Sequence, residues 1–153
     1  MTFASHDTVL EDDGLLTGLR YALGNTCRLS RATALFSWNL EGPSALDTAD
    51  ELARQVDELR AALPPLAVLI RNRGLVASPY YADAIDTLPV DHLATTLRPN
   101  TAAAVLRDGH GEACLSLESA LDMAADHAAY ADISALTARL VAHQRHIHRL
   151  SLI

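Results

Sequence analysis

The sequence predicts an all-α protein built as a four-helix bundle, and three observations carry that prediction. Half of its residues are apolar while only 5% are aromatic, so alanine and leucine supply the apolar mass, which suits helices packed closely on helices. Apolar side chains recur at alternating steps of three and four along four stretches, the pattern of a helix with one buried face. Between the second and third stretches lies a long segment broken by prolines. At 153 residues the chain fits one domain, and a chain of this size buries about two-thirds of its unfolded surface, enough for a core. Residues 1–14 read as an acidic N-terminal segment, expected to be flexible, and residues 15–153 as a single domain.

The first helix is expected from Leu15 to about Asn39, with Leu15, Leu19, Ala22, Thr26, Leu29, Thr33 and Phe36 facing inward. Glu41, Gly42, Pro43 and Ser44 form a turn, and Ser44 is a candidate N-cap for the second helix. That helix points Leu46, Ala49, Leu52, Val56, Leu59, Leu63, Leu66 and Ile70 inward and ends at Gly74. Pro64 and Pro65 fall inside it, where each removes a backbone hydrogen bond at a cost of roughly 3 kcal/mol, so a bend near Leu63 is expected. From Leu75 to Pro99 the prolines at 79, 89 and 99 leave room only for a short helix around Tyr80 to Asp86. The third helix turns Ala103, Leu106, His110, Ala113, Leu117, Ala120 and Ala124 inward, and the fourth Ile133, Leu136, Leu140, His143, Ile147 and Leu150. A crossover of about 25 residues can span a bundle and make helices two and three parallel, the ferritin-like arrangement rather than up-down-up-down.

Charge narrows the range of partners. The formal net charge is −7 and the twelve basic residues are all arginine. The first fourteen residues hold Asp7, Glu11, Asp12 and Asp13 without a base, so the cationic tail that would neutralise phosphates is absent and no nucleic acid partner is expected. Cys27 and Cys114 have no CxxC neighbour and read as free thiols in a reducing compartment. With no secretory leader pattern and no apolar run of membrane-spanning length, the expectation is a soluble cytoplasmic protein without a membrane partner. Neither a Gly-x-Ser-x-Gly elbow nor a glycine-rich phosphate loop is present.

The run from Ala22 to Pro43 resembles the end of the first helix and the first turn of Dps proteins, a branch of the ferritin-like superfamily that carries His-Trp-Asn-x-x-Gly-Pro there. Trp38, Asn39, Gly42 and Pro43 match. The alignment continues without a gap to Arg71 and Gly74, and His143 to Leu150 is similar to the family's closing His-Glu-Lys stretch. The resemblance implies a ferritin-like bundle, a homo-oligomer of twelve chains, a role in iron storage and stress protection, and iron as the metal. It also implies a ferroxidase centre between subunits, with two histidines from one chain and an aspartate and a glutamate from the other. Taken position by position, the histidines fall on Ser37 and Ala49, the aspartate on Pro64 and the glutamate on Val68. Three of these side chains have no lone pair, and a serine hydroxyl is a poor neutral ligand for a divalent ion. The family site is therefore expected to be vacated, and the chain not to be a ferroxidase enzyme of the usual kind.

Other groups are weighed against that expectation. A one-residue slip would recruit Asp47, Asp50 or Glu51, of which Asp50 and Glu51 flank the inward stripe and are expected to be solvated. His110 and His143 lie on inward stripes of adjacent helices, at similar distances from a turn near Ala128. They are candidate metal ligands for a relocated iron site, against the more common reading of two hydrogen-bonded core histidines. His146 and His148, with Arg145 and Arg149, are expected to complement the negative end of the last helix dipole. A non-catalytic dimer, its surfaces reshaped by Pro64 and Pro65, is the alternative to the twelve-chain shell.

Overall fold

The computed structural model describes residues 14–79, 96–124 and 130–153. They form four helices, α1 (Gly14–Trp38), α2 (Ala45–Arg71), α3 (Pro99–Ala124) and α4 (Tyr130–Leu150). The expected short helix at 80–86, the turn near Ala128 and nearly all of the acidic N-terminal segment lie outside these residues.

The topology follows from how the ends are tied. α1 and α2 form an antiparallel pair across the Asn39–Ser44 turn, and α3 and α4 form a second pair. Leu40 and Leu97 make an isolated parallel bridge, with Glu41 N–H donating to the Leu97 carbonyl at 2.9 Å and Leu97 N–H to the Asn39 carbonyl at 2.8 Å. This clamp fastens the start of α3 beside the start of α2. The two helices therefore begin at the same end and run parallel, the ferritin-like arrangement. At the other end an ion pair between Arg73 and Asp132 holds the exit of α2 against the entry of α4. α1 packs on both α2 and α3, and α2 meets α4 only sparsely.

The inward stripes of α1 and α3 are buried as periodicity requires, every residue of each. α1 approaches α3 so closely that a methyl group at Gly18 would overlap that of Ala120. The core falls into two apolar clusters. One gathers Leu29, Phe36, Leu52, Leu59, Leu106 and Leu150 near the α1–α2 turn, and the other Leu19, Leu23, Leu66, Ile70, Leu117 and Leu136 at the far end. At about 25 cal/mol per Å² of apolar surface these clusters supply the main folding drive.

Two expectations about α2 are corrected. Leu46 is 84% exposed, because it stands six residues before Leu52 and so about 120° around the helix from it. Thr48 and Gln55 occupy the inward side instead. Ser44 is at the N-cap, but its backbone is left-handed (φ 64°) and its side chain makes no capping bond. A side-chain cap needs an extended backbone there. Its carbonyl accepts from Thr48 N–H at 3.0 Å. Pro64 and Pro65 lie inside a helix that is continuous from Ala45 to Arg71. The carbonyls that lose their N–H partners belong to Arg60 and Ala61, both exposed, while Leu66 and Ile70 beyond are fully buried and hold the last turns down.

Candidate functional site

Between Leu136 and Leu150 the buried residues of α4 are Ala142, His143 and His146, so the apolar run of that helix is interrupted by two imidazoles. The step of three from His143 puts His146 on the same inward face. α3 supplies His110 opposite them, and α2 brings Gln55, with Glu51 and Glu58 at its edge. His110, His143, His146 and Gln55 are at most 1% exposed. A polar layer of three imidazoles and an amide is thus buried in the core, in addition to the Thr26 and Thr33 hydroxyls of α1.

The expectation that His110 and His143 lie level holds. Their Nδ1 atoms are 2.8 Å apart, one donating to the other, with ring centroids 5.0 Å apart. His146 is 5.1 Å from the His110 ring, centroid to centroid, and its Nε2 stands 3.6 Å from a Glu58 oxygen. This corrects the reading of His146 as a helix-end residue beside exposed His148, since it is fully enclosed. Glu58 also accepts from Arg149 at 3.0 Å and from Arg145 at 3.3 Å. Glu51, expected to be solvated, is half-buried and accepts from Gln55 at 2.9 Å and Arg54 at 2.7 Å, while Asp50 and Asp47 are exposed.

Burial sets the charge states. It pushes the His143 imidazole down to about 3, helped by the nearby Arg139 charge, and the His146 imidazole down to about 4 against the opposing pull of Glu58. His110 is lowered for the same first reason, with His143 and His146 adding to it. All three rings are neutral at pH 7. Burial alone would raise Glu58, but the Arg149 hydrogen bond and the surrounding positive groups outweigh it and keep the carboxyl below its ordinary range.

The layer is not fully satisfied. His110 Nε2, both ring nitrogens of His146, Gln55 Oε1 and two guanidinium nitrogens of Arg139 are buried with no hydrogen-bond partner. Orphaned groups of this kind are uncommon in a native core and call for an explanation such as a bound ion or water. Among the described residues no three His, Cys, Asp or Glu side chains already converge in the geometry of a metal site.

The four positions where the Dps resemblance places ferroxidase ligands are of a different character. The Ser37 hydroxyl donates to the Ala34 carbonyl at 2.7 Å, Ala49 is half-buried, Pro64 is exposed and Val68 is 54% exposed. These side chains do not fit an iron centre: they offer one hydroxyl, already engaged, and hydrocarbon. Trp38 of the matching turn is 75% exposed. Cys27 and Cys114 are free thiols.

The fold defines a class, the ferritin-like four-helix bundle of the Dps kind. Among solved structures it is shared with Dps from Vibrio cholerae O1 (TM-score 0.78, 13% identity, covering 90% of this chain and 87% of that one). It is likewise shared with Dps from Thermosynechococcus elongatus (TM-score 0.77, 18% identity, 90% and 87% covered). The third is a bacterioferritin-related protein from Bacteroides fragilis described as a dodecameric thioferritin (TM-score 0.76, 15% identity, 90% and 82% covered). At these identities the likeness is one of fold. No family model matches the sequence, and no curated protein does.

Proposed function

We propose that this chain is an oligomeric protein of the Dps kind, allied to iron storage and stress protection in the cytoplasm, that lacks the usual ferroxidase centre and does not bind DNA. The observation that carries the proposal is the set Ser37, Ala49, Pro64 and Val68 within a ferritin-like scaffold: the scaffold is kept and the coordinating atoms are gone. The oligomer rests on the family resemblance, and the outer side of α2 suits it: exposed Leu46, Ala53, Pro64 and Val68 stand among exposed Asp50, Asp57 and Arg60, the mixed apolar and polar make-up of a non-obligate protein surface contact. The absence of lysine and the acidic balance support the lack of DNA binding. No helix of the described residues is long and apolar enough to cross a membrane.

The test is to mix the protein with ferrous ion without oxygen and then admit air, with light scattering on the same sample. The expected result is oxidation no faster than in buffer, from a particle of about twelve chains or, in the smaller variant of the reading, two. Oxidation faster than buffer with stoichiometric iron bound, or a monomer, overturns it.

A further inference from the structure

We infer that the buried layer, in which His110 and His143 meet through Nδ1 and His146 lies between the His110 ring and Glu58, is a binding site for one imidazole-preferring divalent transition-metal ion. This site lies inside a single chain, and the inference does not depend on the proposal above.

The spacing is the first argument. Two imidazole nitrogens bound tetrahedrally at about 2.1 Å from one ion lie roughly 3.3 Å apart. The Nδ1 atoms of His110 and His143 are 2.8 Å apart, so a shift of about half an ångström admits an ion in place of the shared proton. That proton needs no acceptor outside the pair. The donor ring returns to the tautomer with hydrogen on Nε2, leaving both Nδ1 lone pairs on the ion. His146 Nε2 and the Glu58 oxygen, 3.6 Å apart, are too far for a good hydrogen bond but close to the spacing of two ligands in one coordination sphere.

The orphaned atoms are the second argument. Both nitrogens of His146 are buried without a partner, and a rotation of this ring toward the Nδ1 pair gives one of them an ion to bind.

The donor set selects the class of ion. Three imidazoles and one carboxylate do not supply the several oxygen ligands that magnesium and calcium require, whereas zinc, cobalt, nickel and copper take imidazole readily. Glu58 can turn to the ion because Arg145 and Arg149, its present partners, are 53% and 36% exposed and regain water. The same three residues lie on the sparse seam between α2 and α4.

Full-length protein without a histidine tag, incubated with cobalt(II) and then dialysed, provides the test by metal analysis and visible absorption. About one cobalt per chain is expected, with a thermal midpoint that rises with cobalt concentration and no displacement by excess magnesium or calcium. His110→Gln and His143→Gln should each lose the cobalt and its visible bands, and Glu58→Gln should hold it several-fold more weakly. His148→Gln, at an exposed position on the same helix, should keep it. Should the variants fail to fold, nitrogen-15 spectra of the wild-type rings on adding zinc decide: His110 and His143 Nδ1 shift and His148 does not. Wild-type protein that binds neither ion, or cobalt retained when both His110 and His143 are replaced, overturns the inference.

Discussion

Two regions of this bundle differ in a way that reverses what a ferritin-like fold leads one to look for. Toward the surface, half-buried or exposed, Ser37, Ala49, Pro64 and Val68 stand where the resemblance places ligands, and they carry hydrocarbon and one engaged hydroxyl. Inside, where hydrocarbon is cheapest to bury, α3 and α4 place three imidazoles together, with His146 beside the Glu58 carboxylate of α2. The comparison teaches that polarity in this protein sits where it is most costly, and a costly buried group is either compensated or retained for something other than stability.

The largest expected effect separates core from outer face. Leu59→Ala, at a position with no exposure, should cost about 2–5 kcal/mol, because it removes buried methyl groups and leaves a cavity. Val68→Ala, on the exposed side of α2, should change stability by less than about 0.5 kcal/mol. Urea denaturation of the dispersed chain measures both, and a comparable loss at Val68 would mean that the outer position is structural after all.

A smaller effect sharpens the inner half of the comparison. His143→Leu leaves His110 Nδ1 in the core without its 2.8 Å partner and should cost about 1–3 kcal/mol. Replacing both, His110→Leu with His143→Leu, should be nearly neutral or stabilising, since no orphan remains at that contact. A double variant as damaged as the sum of the singles would show that the pair is there for stability.

The smallest effect is in pH. His143 and His146 titrate near 3 and 4 in the folded chain against 6.5 ordinarily. Between those values the unfolded chain takes up protons that the folded chain refuses, so stability is greatest above about 6.5 and falls as the pH is lowered toward 4. Glu58, held below its ordinary 4.5, has the same sign but begins to lose its contribution only below that pH. The decline in urea midpoint of metal-free protein between pH 6.5 and 5 therefore belongs to the histidines. Arg139, Arg145 and Arg149 also face the layer. A midpoint that rises on acidification there would contradict the burial of neutral rings.

Much of the scaffold was legible because periodicity is a local property. The stripes on α1 and α3 were readable residue by residue, and the length of the crossover implied the parallel pairing that the Leu40–Leu97 clamp displays. His110 and His143 were readable for the same reason, as each falls in step with its stripe. His146 was misread, though its step of three from His143 pointed inward, because its neighbours Arg145, His148 and Arg149 suggested a solvated helix end. Glu58 carried no signal at all. Its importance comes from α4, which is far away in sequence, and only packing brings Arg145, Arg149 and His146 to it. Leu46 misled in the opposite sense, being apolar but on the outer side of the first turn of α2, where Thr48 takes the inward place. The ligand positions on the outer face came from family resemblance, since Ala49, Pro64 and Val68 by themselves announce nothing.

Anomalous diffraction from crystals of the assembled protein grown with cobalt(II) tests the contrast between the two regions most directly. The account predicts a peak within coordination distance of His110 and His143 Nδ1 in each chain and none beside Ser37, Ala49, Pro64 and Val68. A peak at those outer positions, shared between neighbouring chains, or an empty histidine layer would contradict it.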